Sequence, residues 1–291
     1  MSGRKIALIA LIFAVLLGSG TAGITKKGLM EIPPYSFTFF RFFIASLFVL
    51  PFFLHSKGHK TSNLKELIPT SLFATGNVLF FILGVSLTTA NVGSLIYAAV
   101  PLLIAVILYV LYRHRFSRQK ECGLIIGFLG VLLITVLPLV EKGQAFAGNI
   151  GGNLLLTVAI ISWSFYMVFS KRLHEKYSPF LITSNFIFLS TVVLFPFFLW
   201  DLYTKFGWWH DLSGWGIFSI LYVAIIITVI NYILNQYVIK HGGTVMAATM
   251  FYIMPIFGFI INFFLLGELL TTGFIMGSLL ALVGTYLVVR K

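Results

Sequence analysis

The sequence predicts an all-α integral membrane protein of ten transmembrane helices, built as two inverted repeats of five helices each. Composition is the first reason. Of 291 residues, 59% are hydrophobic and 10% charged, and the mean hydropathy is +1.02; a soluble domain carries about 25% charged residues. The second reason is a series of ten apolar runs, at about 6–25, 34–55, 67–87, 90–112, 122–140, 152–171, 179–200, 214–238, 244–266 and 271–289, each near the ~20 residues that carry a helix across the hydrocarbon core. Lipid offers no partners to backbone N–H and C=O groups, so these runs read as helices, and strand-like alternation is absent.

Internal repetition is the third reason. A shift of 154 carries Asn77 onto Asn231, Pro101 onto Pro255, Gly123 onto Gly277 and Gly130 onto Gly284. A shift of 145 carries Lys26 onto Lys171, Pro34 onto Pro179, and Pro51-Phe52-Phe53-Leu54 onto Pro196-Phe197-Phe198-Leu199. The difference of nine marks an insertion in the second copy between Leu199 and Ile220. The halves are 1–140 and 150–291, with helices 1–5 and 6–10. Five is an odd number, so the second copy enters the membrane from the opposite face. Transporters are built this way, with the binding site near the midplane where the repeats meet.

Charge sets the orientation. With both termini cytoplasmic, fifteen of the twenty Lys and Arg residues fall on inside loops or ends, four (Lys26, Lys27, Lys142, Lys205) fall outside, and Arg41 lies within a helix. That bias is the positive-inside pattern of a multi-pass protein of the cytoplasmic (inner) membrane. The net charge of +12 is therefore a topological signal, and no nucleic-acid partner is expected. Cys122 is the only cysteine, which excludes an intrachain disulfide and a cysteine metal site. The basic start followed by an apolar run is like a signal peptide, but Leu154–Ser170 repeats it in kind, so it reads as a retained first span.

Span 1 contains Gly18, Gly20 and Gly23 in G-x-G-x-x-G spacing. No strand precedes the motif, so close helix packing is expected rather than a dinucleotide site. In span 2, Arg41 sits about two turns from the outer end, and an intramembrane charge is either a functional group or an anchor. Spans 3 and 8 place Asn77 with Phe81, and Asn231 with Asn235, four apart on one helix face. Buried amides need partners, so these line a cavity or bond between helices. Spans 4 and 9 carry Pro101 and Pro255, which kink a helix as gates or as static bends. Ahead of Pro101, Asn91, Ser94 and Tyr97 share a face; ahead of Pro255 stand Thr249, Phe251 and Tyr252.

Spans 5 and 10 space Gly123 and Gly127, and Gly273, Gly277 and Ala281, at four residues, which suits scaffold packing or a homodimer contact; monomer and homodimer both stay open. Span 6 puts Trp163 near mid-depth with Tyr166 beside it, where an indole N–H needs a partner or a wet cavity. The insertion Trp200–Gly216, with Trp208, Trp209 and Trp215, reads as an external segment at the lipid surface.

At these residues the chain resembles the drug/metabolite transporter superfamily, specifically its ten-helix exporters of two EamA repeats. The second half shows Pro255, then Leu266-Gly267-Glu268-Leu269, Gly277 and Gly284; the first shows Pro101, then Tyr112-Arg113-His114-Arg115-Phe116-Ser117, Gly123 and Gly130. His114 stands where the family usually has the glutamate seen at Glu268, and Arg41 matches the family's second-helix arginine. The resemblance implies a central cavity lined by spans 1, 3, 4, 6, 8 and 9 that opens alternately to each side, with Arg41, Pro101, Pro255 and Glu268 in gating or structural roles.

Asn77, Phe81, Tyr97, Trp163, Asn231, Asn235 and Tyr252 form the expected substrate site: neutral, aromatic and amide-bearing. It suits a neutral or zwitterionic small molecule, amino acids and aromatic ones among them, moved outward across the membrane. Other amphipathic drugs or metabolites, or a channel or sensor role, are the alternatives. All eight carboxylates and all six histidines fall in loops or at helix ends, so facilitated or exchange transport without an intramembrane proton carrier is expected. No nucleophile or acid–base pair sits near the bilayer, so no enzymatic activity, cofactor or metal is expected.

Overall fold

The structure, a computed structural model, describes residues 3–56, 63–88, 93, 96–141, 149–266 and 272–290. It is all-α. Among the described residues six helical segments are long and apolar enough to cross a membrane: Gly3–Gly28, Pro34–His55, Leu64–Leu87, Ile150–Leu173, Pro179–Thr204 and Gly214–Gly242, which are spans 1, 2, 3, 6, 7 and 8. Span 4 is the shorter helix Val100–Tyr112. Span 5 is Arg118–Glu141, span 9 is Thr244–Ala248 followed by Met250–Leu266, and span 10 is Thr272–Val289. Large apolar side chains such as Ile12, Leu47, Val106, Val192 and Leu279 are exposed on the outside of the bundle, the surface lipid would cover.

Local chemistry sets the helix starts. Pro34 and Pro179 open spans 2 and 7 in the first turn, where a missing N–H costs nothing. Asn63, Asn149, Ser178 and Ser213 cap spans 3, 6, 7 and 8 by accepting from Lys65, Gly152, Leu181 and Trp215 N–H. Span 4 stops at Arg113, whose φ of 52° is left-handed, with Arg113 N–H donating to Tyr109 O and His114 N–H to Leu108 O.

Two pairs of repeat mates, spans 2 and 7 and spans 5 and 10, pack against each other antiparallel. In spans 2 and 7, Tyr35 meets Phe197, Phe39 stacks on Phe198 at 4.6 Å, and Phe53 meets Phe188 at 5.0 Å. Between them Ser46 and Thr191, which are equivalent under the shift of 145, share a hydrogen bond of 2.8 Å. In spans 5 and 10 a Cβ on Gly130 would meet Ala281 N and Gly277 O, and one on Gly284 would meet Gly127 N and Gly123 O. The beginning of each helix thus lies against the end of its mate. Gly123, Gly127, Gly130, Gly277, Ala281 and Gly284 all take part in this contact within the chain.

The two ends of the bundle are fastened differently. At one end Arg4 donates to the Val289 carbonyl, so the two chain ends lie together. There Lys176 pairs with Glu66 at 3.0 Å, and Lys171 donates to the last carbonyls of span 8 at Ile239 and Lys240. The Glu66 carboxylate holds the Lys176 ammonium above its ordinary pKa. At the other end Lys26 donates to Thr88 O, and Glu31 accepts from Ser213 N and Oγ, bonds that pull the Glu31 carboxyl below its usual pKa.

Several expectations change. Span 1 breaks at Ser19-Gly20 into Gly3–Gly18 and Thr21–Gly28. Of its glycines, Gly18 is the tight one, its Cβ position falling on Met254 and 2.8 Å from Asn231 Nδ2, whereas Gly23 faces open space. Pro101 is not a mid-helix kink but the second residue of its helix, just after a turn at Ala98-Ala99. Pro255 does lie inside a helix, yet the break in span 9 comes earlier, at Thr249. Trp200 and Asp201 belong to span 7 rather than to an external segment. Asp201 is 1% exposed and accepts from Ser36 N at 2.9 Å, capping span 2 with a carboxylate.

Span 8 is wound as a π-helix from Tyr222 to Asn231. Seven of those ten residues are β-branched, and such side chains crowd the preceding turn of an α-helix. The Thr228 hydroxyl reaches back to Val223 O, five residues away, at 2.8 Å. A π segment inside a helix often accompanies a functional site.

Candidate functional site

Two asparagines cross the middle of the bundle. Asn77 of span 3 donates to Ala159 O of span 6 at 2.8 Å, and Asn231 of span 8 donates to Ala14 O of span 1 at 2.7 Å. Asn77 and Asn231 are mates under the shift of 154, and Ala14 and Ala159 are mates under 145. One half therefore grips the first helix of the other, twice, by the same bond. Asn77 also donates to the Tyr97 hydroxyl at 2.7 Å, which fixes the Tyr97 ring edge-on to Phe81 at 5.4 Å.

Between these bonds lies an aromatic centre. Trp163 is 4% exposed and packs on Tyr166 at 5.0 Å and Tyr232 at 5.6 Å. Its Nε1 is buried and has no hydrogen-bond partner, which is costly for a donor unless a ligand or water supplies an acceptor. Arg41 is 2% exposed; its Nε donates to Thr228 Oγ1 at 2.6 Å and its Nη2 to the Tyr232 hydroxyl at 2.9 Å. Both recipients come from the region where the π winding ends. Ala159, which accepts the Asn77 bond, lies one turn before Trp163 on span 6, so the Asn77 and Trp163 clusters adjoin along that helix.

Of the residues expected from sequence, Asn77, Phe81, Tyr97 and Trp163 come to this centre, and Arg41 joins them. Asn231 is spent on the helix contact with Ala14. Asn235 is buried, donates to Met250 Sδ at 3.0 Å, and leaves its Oδ1 without a partner. Tyr252 is not part of the centre. It is fully buried against Gly127 of span 5, its hydroxyl donating to Leu124 O at 2.8 Å. The ring of its neighbour Phe251 faces Tyr97 instead, at 5.5 Å. An apolar run of seventeen residues, Met250–Leu266, carries no polar pattern to show which of two adjacent aromatics points inward. Asn91, Ser94 and Glu268 lie outside the described residues. An open crevice lined by Leu64, Leu67, Ile68 and Val192 opens on the outer surface of spans 3 and 7, away from Trp163.

Sequence reasoning missed the Tyr166, Gln236 and His174 relay. Gln236 donates to the Tyr166 hydroxyl at 2.6 Å, and its Oε1 lies 2.8 Å from His174 Nε2. Gln236 falls one residue after Asn235, and a second amide in an apolar run is itself a signal of a buried partner. His174 follows span 6 as its C-cap, yet it turns back into the bundle and is 9% exposed. Burial pushes its pKa from 6.5 to about 4, against the opposing bond from Gln236. The folded form therefore binds this proton less readily than the unfolded form. The stabilisation is complete above pH 6.5 and is lost as pH falls toward 4. The melting temperature is expected to drop over that window in wild type and to drop less in His174→Gln; equal slopes would remove His174 as the cause. Among the described residues no group of three or more His, Cys, Asp or Glu side chains could hold a metal ion.

Comparison with known proteins gives a consistent result. The chain matches the EamA-like transporter family over residues 5–136 and again over 150–290. It is 28% identical over 267 residues to an uncharacterized transporter of Archaeoglobus fulgidus, covering 91% of this chain and 92% of that protein. It is 27% identical to the uncharacterized transporter YdfC of Bacillus subtilis, covering 99% and 94%. A probable amino-acid metabolite efflux pump of Salmonella typhimurium is 24% identical, covering 98% and 94%. A crystal structure superposes with a TM-score of 0.80 at 17% identity, covering 98% of this chain and 96% of that one; at that identity the likeness concerns the fold alone.

Proposed function

Since the chain belongs to the EamA-like transporter family, and so is a multi-pass membrane transporter and not an enzyme, we propose that it exports a small neutral or zwitterionic metabolite by alternating access. The substrate class is amino-acid-like, aromatic amino acids included. The observation that carries this reading is the buried centre of Trp163, Tyr97, Phe81 and Asn77, with an unpartnered indole N–H at Trp163 and an unpartnered amide oxygen at Asn235. A ring stacked on such aromatics contributes roughly 0.5–1.5 kcal/mol beyond its burial. A free donor and a free acceptor suit a solute carrying both polarities. The printed name of the Salmonella relative, an amino-acid metabolite efflux pump, agrees with this class.

The ten spans act as two inverted five-helix units, 1–140 and 150–291, rocking about the axis that passes between Ser46 and Thr191 and between Gly127 and Ala281. The paired bonds of Asn77 and Asn231 are what such symmetry requires. Both termini face the cytoplasm, as the basic residues at the Arg4 and Lys176 end suggest. With Cys122 replaced by serine, a cysteine tag at either terminus is expected to react only from the cytoplasmic side. Labelling of the two tags from opposite sides would undo the inverted arrangement.

Purified protein in liposomes tests the carrier itself. Uptake of labelled phenylalanine is expected to saturate, to accelerate when unlabelled solute is placed on the far side, and to proceed without a pH gradient. Non-saturating flux would make the protein a channel, and strict dependence on a proton gradient would eliminate the uncoupled mechanism.

A further inference from the structure

Arg41 is a buried cation, 2% exposed, whose charge no carboxylate among the described residues neutralises. Its hydrogen bonds go to two neutral hydroxyls. Taking a guanidinium out of water is expensive, and hydroxyl partners recover only part of that cost because they bring no opposite charge. Its repeat mate is Phe186, so the symmetric scaffold does not need a charge at this level. The carboxylates nearest in sequence have other tasks, Glu31 holding Ser213 and Glu66 pairing with Lys176, and the buried Asp201 caps span 2.

A second donor meets the same ring. Trp163 and Arg41 both lie against Tyr232, with centroid separations of 5.6 Å for the indole and 5.5 Å for the guanidinium carbon. The Trp163 Nε1–H is buried and without an acceptor. A fixed positive charge and an unused N–H converging on one tyrosine form the complement of a small anion. A single guanidinium matches the planar fork of a carboxylate, whereas a phosphate dianion would call for several basic groups.

Resting on the carrier reading above, we propose that the Arg41–Tyr232–Trp163 corner binds the carboxylate of the substrate, which narrows the class to zwitterionic amino-acid-like solutes and rejects the corresponding amines and amides. Specificity of this kind is steep, because a solute lacking the carboxylate leaves the cation and the N–H buried and unpaired.

The test uses the full chain in detergent and four probes that share one ring: phenylalanine, 3-phenylpropionate, phenylalanine amide and phenethylamine. Thermal stabilisation and calorimetric binding are expected for the two carboxylates, with the amide and the amine at least about tenfold weaker. Arg41→Gln should lose the carboxylate preference, and Arg41→Lys should keep part of it because the charge stays. Trp163→Phe retains a ring but removes the N–H, and should weaken the two carboxylates several-fold while leaving the amide and amine where they were. Equal binding of all four probes, binding of none, or an unchanged preference in Arg41→Gln would overturn the assignment. If Arg41→Gln does not fold, Arg41→Lys and Trp163→Phe decide it. The two readings fail separately: saturable flux without carboxylate preference leaves the carrier and removes the anion corner, whereas carboxylate-selective binding without flux does the reverse.

Discussion

Gly284→Val is expected to abolish accumulation of folded protein, while Gly23→Ala leaves it unchanged. A Cβ on Gly284 would fall 2.6 Å from Gly123 O and against the backbone of Gly127, and one on Gly130 would fall 2.7 Å from Gly277 O. These neighbours are main chain, so no side chain can swing aside. The two helices would have to separate along a seam whose packing supplies their association, since lipid offers little hydrophobic drive between helices. Overpacking in a well-filled interior costs about 1–3 kcal/mol even where side chains can move; here the penalty belongs at or above the top of that range. Gly23 has nothing within 4 Å of its Cβ position. Detergent-solubilised yield and melting temperature read the comparison. A stable Gly284→Val protein would mean that spans 5 and 10 do not meet along this face.

Trp163→Ala should reduce transport by at least about tenfold and lower stability by ~3 kcal/mol, the usual result of deleting a buried large aromatic. The side chain is 4% exposed and joins Tyr166 to Tyr232, so its loss leaves a cavity between spans 6 and 8. Trp163→Phe separates the two effects. It keeps most of the packing, so its melting temperature should stay close to wild type, while transport of carboxylate substrates falls with the lost N–H. Flux in liposomes together with thermal melts distinguishes the outcomes. Wild-type flux in Trp163→Ala would remove this residue from the substrate path.

The pairing of equivalent residues shows how far pattern reading extends. The offset 154 matches Asn77 with Asn231 and the offset 145 matches Ala14 with Ala159, and the structure gives the two asparagines the same task toward those two alanines. Buried amides in an apolar chain announce themselves because each must find a partner. Tyr252 shows where such reading stops. Its hydroxyl could serve a cavity or a carbonyl, and only packing against Gly127 decides for the carbonyl. His174 and Asp201 fail in the opposite sense: polar residues near helix ends look solvated, yet both are buried, held by Gln236 and Ser36. Position along a helix does not tell how a connecting loop folds back.

By itself the sequence determined that the chain is a helical membrane protein, that it is duplicated, and that its amides and few interior polar groups lie at corresponding places. Those are properties of local composition and spacing, which lipid enforces residue by residue. Only the tertiary structure decided which neighbours those groups meet: that Arg41 faces Thr228 and Tyr232 rather than a carboxylate, and that the glycines of spans 5 and 10 are used on each other. The physical reason is that an apolar helix has many similar faces, and the one turned inward is selected by shape complementarity with distant segments.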